Sequence, residues 1–134
     1  LYGTPGQVED KVATVKAIYD AFSRRDVEAA LKYVSEECEL HVPGTARLTG
    51  KAEPYRGPDG IRQYFADVSR LWSELTLYAD DIRASQGGVA VFGHVEAQHA
   101  GGPLMRRVLW TWQVENGKAV SARANDLGEI KHQA

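Results

Sequence analysis

The sequence is poor in cysteine, lacks a long apolar segment and carries no excess of charge of one sign. Its 134 residues include one cysteine, Cys38, which excludes an internal disulfide and suits a reducing compartment. No apolar run approaches the roughly 20 residues that a membrane-spanning helix needs, and no segment has the pattern of a signal peptide. We therefore expect a cytoplasmic protein with no membrane partner.

The charges nearly cancel, with 16 Lys and Arg against 18 Asp and Glu and a formal net charge of −2. A nucleic-acid-binding domain would normally show a basic surface, and the pairs Arg24-Arg25 and Arg106-Arg107 are too short to form one. On an alternating strand, the second pair would also divide between the two faces. We expect no nucleic-acid partner, and we predict a single domain over residues 1–134, with an ordered core of about 5–127 and a polar tail.

The most informative segment runs from Met105 to Asp126 and predicts two β-strands joined by a turn at Asn116-Gly117. Apolar and polar residues alternate along both strands, as they do in strands with one buried face. On the first strand, the buried face would carry Val108, Trp110, Trp112 and Val114. Such an aromatic face suggests the lining of a pocket.

The turn decides which residues join the tryptophans. A two-residue loop would pair Glu115 with Lys118, and it would place Arg123 and Asn125 beside Trp110. A three-residue loop would pair Val114 with Lys118, and we prefer it because it groups apolar residues with apolar residues. In that register, the residues that share the tryptophan face are Val120, Ala122, Ala124 and Asp126.

The rest of the chain alternates between helical and extended patterns. Apolar residues recur at helical spacing from Pro5 to about Phe22, again after Asp26 in a stripe of Val27, Leu31 and Val34, and again after Pro58. Alternation predicts a short strand at 38–42 and further strands around 75–79 and 89–97, while 43–57 predicts a long loop of the kind often used for binding. Segregated helices over such strands predict an α+β fold, a cone-shaped barrel with a curved, mostly antiparallel sheet wrapped over three N-terminal helices.

Three segments resemble the SnoaL-like domains of the nuclear transport factor 2-like superfamily. They are VKAIYDAFSRRDVEAALKYVSEECELHVP, YRGPDGIRQYF and WTWQVENGKAV, in that order along the chain. The resemblance implies the cone-shaped barrel, often as a homodimer through the outer face of the sheet. The superfamily includes ketosteroid isomerases, polyketide cyclases, epoxide hydrolases and binding proteins without catalysis, so the fold does not give the function.

The resemblance also marks the positions at which the enzymes carry their acids and bases. The first-helix tyrosine of the isomerases matches Ile18, and their general-base aspartate matches Val42. Their oxyanion-stabilising aspartate matches Trp110, and the last-strand carboxylate of the cyclases and epoxide hydrolases matches Ala124. A general base must lie within hydrogen-bond reach of its proton, and these side chains provide none.

Asp126 is the acid that the preferred register places on the tryptophan face, where desolvation would suit a general acid or base. An aspartate at the end of a strand more often binds a backbone N–H or solvent. Tyr64, on the third helix, is the candidate helper. The predicted ligand-binding residues, most of them aromatic, are Tyr19, Val42, Tyr55, Tyr64, Trp72, Trp110, Trp112 and Asp126.

Metal and nucleophile chemistry have little support in the sequence. His94 and Glu96 share a strand face, but their spacing matches no strong metal motif and alternation places them away from the core. Cys38 lies on the apolar side of its strand, which is typical of a buried, inert thiol. We expect neither a metal nor a cofactor.

Three functions remain open. The first is binding of a small hydrophobic or aromatic molecule in the cone pocket, favoured because the usual catalytic groups are missing. The second is an isomerase or cyclase that uses Asp126, which solvent exposure of that carboxylate would leave without support. The third is a ligand-free dimeric scaffold, which a cavity closed by Tyr64, Trp72 and Trp110 would favour. The predicted dimer face carries Phe92, His94, Arg107, Leu109, Thr111 and Arg123.

Overall fold

A computed structural model describes residues 5–43, 45, 50, 54–72, 74–85, 88–99 and 102–130. Within this part of the chain, helices precede most of the sheet, as predicted. The helices are α1 (Pro5–Ser23), α2 (Val27–Leu31) and α3 (Gly57–Leu71), and the strands are β1 (Val34–His41), β2 (Tyr55–Arg56), β3 (Glu74–Ser85), β4 (Gly88–His99), β5 (Gly102–Glu115) and β6 (Lys118–Glu129). None of the described helices is both long and apolar enough to cross a membrane.

The described strands form one sheet in the order β2-β1-β6-β5-β4-β3. Neighbouring strands are antiparallel except β1 and β6, which are parallel. Because β2 and β3 lie at opposite edges, the curved sheet does not close on itself. The helices pack on its inner face, which confirms the predicted α+β cone.

The second helix is shorter than the apolar spacing suggested. The side chain of Asp26 caps α2 by accepting a hydrogen bond from the Ala29 N–H at 3.1 Å. The helix ends at Leu31, and Val34 begins β1 instead of continuing the helical stripe. Pairing of Val34 with Ala119 of β6 explains the difference, since sheet pairing outweighs a weak local preference for helix.

The end of the predicted loop at 43–57 forms a short strand and the first residue of a helix. Tyr55–Arg56 pair with β1, and α3 begins at Gly57. A glycine is needed there because its φ is +69° and a Cβ would lie 2.7 Å from the carbonyl oxygen of Glu36. Positions 44, 46–49 and 51–53 lie outside the described residues.

The β5–β6 turn has two residues, so the predicted three-residue loop is wrong. Asn116 and Gly117 have φ values of +52° and +75°, and Glu115 pairs with Lys118. Positive φ at both central residues is what a tight turn of this type requires, because its twist matches that of the strands.

A β-bulge directly after the turn restores the predicted face. Val114 pairs with Ala119, whereas Gln113 pairs with Ser121, so Val120 is the extra residue. The bulge shifts the register by one residue, which moves alternate side chains to the other face. Beyond it, the pairs on the inner face are Trp112 with Ala122, Trp110 with Ala124 and Val108 with Asp126.

The last strand extends close to the C-terminal end of the described residues. Strand β6 continues through Leu127 to Glu129, and the backbone N–H of Ile130 donates to the carbonyl of Met105 at 2.8 Å. Pairing with β5 orders these polar residues, which have little apolar character of their own. Residues 131–134 lie outside the described part of the chain.

Candidate functional site

A cavity of about 640 Å³ lies at the open end of the cone, which we call the mouth cavity. It lies between α3, the chain after β1 and the inner face of strands β3 to β6. Its volume falls within the roughly 300–1,000 Å³ that is usual for small-molecule pockets. Most of its lining is apolar, and the lining residues are Val42, Pro43, Thr45, Tyr64, Trp72, Leu75, Leu77, Val95, Leu104, Arg106, Val108, Trp110, Ala124 and Asp126.

The deeper part of the cone is packed. The Tyr19 ring meets the rings of Trp110 and Trp112 edge-on, at centroid distances of 6.5 and 5.9 Å. The Trp112 Nε1–H also donates to the Tyr19 hydroxyl at 3.4 Å, and burial raises the pKa of that phenol. A void of about 40 Å³ remains here, too small for a drug-sized ligand.

The predicted binding residues therefore divide into three groups. Five line the mouth cavity, namely Val42, Tyr64, Trp72, Trp110 and Asp126. Tyr19 and Trp112 border the small void, as Trp110 and Tyr64 also do on their deeper sides. Tyr55 belongs to neither lining and has a different role, because its hydroxyl faces the buried side of α3.

Tyr55 and Asp67 form a buried polar pair behind the cavity wall. Tyr55 is 1% exposed and Asp67 is 3% exposed, and the Tyr55 hydroxyl donates to Asp67 Oδ2 at 2.6 Å. Gln63 Nε2 and Arg70 Nη2 donate to Asp67 Oδ1 at 2.7 and 3.1 Å. Burial works to raise the pKa of Asp67, but these hydrogen bonds and the Arg70 charge outweigh it and lower the pKa.

Tyr64 connects this pair to the cavity. Its ring meets the Tyr55 ring edge-on at 5.4 Å and lies 6.0 Å from the Phe22 ring. Burial raises the pKa of the Tyr64 phenol, with a smaller contribution from Tyr55. The phenol therefore stays neutral at physiological pH, so it can donate a hydrogen bond but does not act as an anionic base.

Asp126 lies in the cavity wall, and Arg106 and Gly128 are among the described residues that donate hydrogen bonds to it. Arg106 Nε donates to Asp126 Oδ2 at 2.7 Å, and the Gly128 N–H donates to Oδ1 at 2.8 Å. The side chains are partly open to solvent, with 42% of Asp126 and 35% of Arg106 exposed. The enzyme hypothesis therefore lacks the support that a desolvated Asp126 would have given it.

Arg106 is the site residue that the sequence reasoning missed. It lies on the same face of β5 as Val108 and Trp110, and it lines the mouth cavity. The sequence does indicate this position. Side chains alternate along a strand, so Arg106 and Arg107 lie on opposite faces and Arg106 lies on the tryptophan face.

The positions that the resemblance matches to acids and bases of the superfamily's enzymes carry apolar or aromatic side chains in this chain. Val42, Trp110 and Ala124 line the mouth cavity, and Ile18 borders the deeper void. At these positions the described structure presents hydrocarbon and aromatic surface.

The histidine and carboxylate pattern on β4 lies outside the mouth cavity. His94 Nδ1 lies 2.7 Å from Asp80 Oδ2, and its ring stacks on Tyr78 at 4.4 Å. Among the described residues, no group of three His, Cys, Asp or Glu side chains could hold a metal ion. Cys38 is 1% exposed, and burial raises the pKa of its thiol to about 11, with the Glu39 charge adding to the effect.

The family follows from a comparison with known protein families. A model of the SnoaL-like domain matches residues 15–122, most of the chain. The chain belongs to the SnoaL-like domain family. This confirms the resemblance of the three sequence segments and agrees with the cone fold.

Solved structures give the same fold. An NTF2-like protein of unknown function from Burkholderia pseudomallei is 23% identical, with a TM-score of 0.78 over 87% of this chain and 90% of that chain. TerC, co-crystallised with polyporic acid, is 22% identical, with a TM-score of 0.78 over 87% and 91%. IdmH, a putative polyketide cyclase from Streptomyces antibioticus, is 21% identical, with a TM-score of 0.71 over 86% and 90%. No curated protein matches this chain.

Proposed function

We propose that this SnoaL-like protein binds a small hydrophobic or aromatic molecule in the mouth cavity, within the cytoplasm. The observation that carries the proposal is the cavity itself, about 640 Å³, whose described lining is mainly apolar and includes the charged pair Arg106 and Asp126. Sites for small organic molecules commonly combine an apolar lining with a few polar groups that orient the ligand.

The cavity walls favour a ligand with a ring system. Trp72 and Trp110 both line the cavity, and aromatic pairs contribute about 0.5–1.5 kcal/mol beyond the burial of area. Burial of apolar ligand surface adds about 25 cal/mol for each Å² removed from water, against the cost of association. The co-crystallisation of the similar protein TerC with polyporic acid supports this choice of ligand class.

Binding without catalysis is the better supported of the two active functions. The isomerase or cyclase alternative depends on Asp126, which borders the cavity but is 42% exposed and bound to Arg106. The similarity to the putative cyclase IdmH gives that alternative some support. The ligand-free scaffold is less favoured, since Tyr64, Trp72 and Trp110 line an open cavity instead of closing it.

The protein would act as a homodimer through the outer face of the sheet. Tyr78 and Phe92, on that face, are 41% and 42% exposed, and Leu127 is 54% exposed. A groove of about 430 Å³ runs beside Phe92 and Leu127, with Arg107 and Asp80 also in its lining. Apolar groups mixed with charges of both signs suit a self-complementary interface.

Tryptophan fluorescence provides the test of ligand binding. Trp72 and Trp110 line the cavity, so a bound ring system should quench their emission. A panel of steroid-like, polyketide-like and terpenoid compounds would be titrated against the wild-type protein and against Ala124→Phe, which places a ring in the cavity. Ala84→Phe is the matched control, because Ala84 is an exposed strand residue outside the cavity lining.

The proposal predicts saturable quenching by at least one compound class. Ala124→Phe should weaken that binding about tenfold or more, equivalent to about 1.4 kcal/mol, while Ala84→Phe should leave it unchanged. Absence of quenching across all three classes, or equal weakening by both variants, would contradict the proposal.

A further inference from the structure

The mouth cavity has a charged pair, Arg106 and Asp126, whose contact with each other uses one N–H donor of the guanidinium. Among the described lining residues, Arg106 and Asp126 carry the formal charges. The contact between them uses the Arg106 Nε–H, which donates to Asp126 Oδ2 at 2.7 Å. Within the described part of the chain, Arg106 Nη1 and Nη2 donate to no protein acceptor. A guanidinium has five N–H donors, and four of them are on these two atoms.

The neighbours of Arg106 on β4 and β5 that line the cavity are apolar, which makes Arg106 a polar binding group in this part of the wall. Val95, which pairs with Arg106 across β4 and β5, also lines the cavity, and Leu104 and Val108 lie on the same face of its strand. The side chain is 35% exposed, so a ligand would remove part of its remaining solvent. Donors in surroundings of low polarity bind an anionic oxygen more strongly than donors in water.

Asp126 acts as a positioning residue for this guanidinium. Its Oδ1 accepts from the Gly128 N–H at 2.8 Å, which fixes the carboxylate against the β6 backbone. The fixed carboxylate then holds the Nε side of Arg106. The opposite edge, formed by Nη1 and Nη2, has the geometry that receives both oxygens of a second carboxylate.

We infer that the ligand of the mouth cavity is an organic acid, whose carboxylate is bound by Arg106 Nη1 and Nη2 while its ring system lies against Trp72 and Trp110. The inference rests on the proposed function, since it names the class of molecule that the same cavity binds. A cation is disfavoured because the Asp126 carboxylate already accepts from Arg106 and from Gly128.

Isothermal titration calorimetry with a matched ligand pair tests the inference. The probes are 2-naphthoate, which carries a carboxylate, and 2-naphthamide, which has the same rings and no charge. The variants are Arg106→Gln and Arg106→Lys. Arg83→Gln is the matched control, because Arg83 Nε also donates to an aspartate, Asp81, at 2.7 Å but does not line the cavity.

The wild-type protein should bind the acid about tenfold more tightly than the amide, a difference of about 1.4 kcal/mol. Arg106→Gln should reduce binding of the acid to the level of the amide and leave the amide within about twofold of its wild-type affinity. Arg106→Lys should retain part of the preference, since it keeps the charge and loses the paired donors. Arg83→Gln should retain all of it.

Three results would overturn the inference. Equal affinity of the wild-type protein for acid and amide would show that the cavity does not select an anion, and ligand binding itself would stand. Equal weakening of both probes by Arg106→Gln would show that Arg106 shapes the cavity without recognising charge. If neither probe binds, the inference fails. The proposed function fails with it when the steroid-like, polyketide-like and terpenoid panel also gives no quenching.

Discussion

Replacing Tyr55 with Phe removes the hydroxyl that donates to Asp67 at 2.6 Å and leaves the rest of the ring in place. Tyr55 is 1% exposed and Asp67 is 3% exposed, so water does not readily replace the lost donor. A hydrogen bond to a charged group contributes about 1.5–3 kcal/mol, and an unsatisfied buried acceptor costs a similar amount. Because Gln63 and Arg70 still donate to Asp67, we expect the free energy of unfolding to fall by about 1.5–3 kcal/mol.

Urea denaturation at pH 7 measures this change directly, and thermal unfolding checks it. The unfolding entropy is about 280 cal/mol/K for a chain of this length, at roughly 2.1 cal/mol/K per residue. Each 1 kcal/mol then lowers Tm by about 3–4 °C, which gives a decrease of about 5–10 °C. Tyr78→Phe is the matched control, because it removes the same hydroxyl group from a tyrosine that is 41% exposed. We expect little change in that variant.

The pH dependence provides a second check with a defined sign. Hydrogen bonds and the Arg70 charge lower the pKa of Asp67 in the folded protein, against the effect of burial. Its stabilising contribution is therefore present above the unfolded pKa of about 3.9 and is lost as pH falls toward the lower folded value. The difference between wild type and Tyr55→Phe should narrow as pH is lowered through this range. A constant difference, or equal losses for Tyr55→Phe and Tyr78→Phe, would refute the reasoning.

Three further predictions concern the turn, the thiol and the outer face. Gly117→Ala should lower the free energy of unfolding by about 1 kcal/mol in urea denaturation, because its φ of +75° disfavours a Cβ although space is open there. Cys38 should react with a thiol reagent in denaturant and remain unmodified in the folded protein, and rapid modification of the native thiol would contradict its burial. Light scattering should give the mass of a dimer for the wild-type protein and of a monomer for Phe92→Asp, whereas a monomeric wild type would refute the dimer.

The fold was predictable because its elements carry strong local signals. Helical spacing in α1 and α3 and alternation in β3 to β6 each place apolar residues on one face, and those faces can only be buried against each other. The length of α2 was not predictable in the same way. Val34 fits a helical stripe, and it joins β1 because Ala119, 85 positions later, pairs with it.

The β5–β6 hairpin has the predicted tryptophan face, although its turn is one residue shorter than predicted. Asn116-Gly117 forms the two-residue turn that its sequence favours most strongly. The apolar residues of the two strands also share one face, because the extra residue Val120 shifts the register of β6 by one position. The two-residue turn and the shared apolar face are incompatible in a regular hairpin. A bulge allows both, because it adds one residue to one strand.

The site was predictable only in part, for a related reason. The alternation of side chains along β5 and β6 predicts that Trp110 and Asp126 face a pocket, and both line the mouth cavity. Alternation does not give depth along the cone, so it does not show that Trp112 packs against Tyr19 below the mouth cavity. Alternation also places Arg106 on the tryptophan face, but nothing in its local sequence shows that a charged side chain there lines the cavity.

Two-dimensional NMR of the three tryptophan indole N–H groups, with 2-naphthoate as titrant, tests the central claim most directly. Trp72 and Trp110 line the mouth cavity, and Trp112 lies behind Tyr19 in the packed interior. Binding in the cavity predicts saturable shifts that are largest for Trp72 and Trp110 and small for Trp112. Unmoved indole signals, with shifts confined to the amides of Phe92 and Leu127 beside the outer groove, would contradict it.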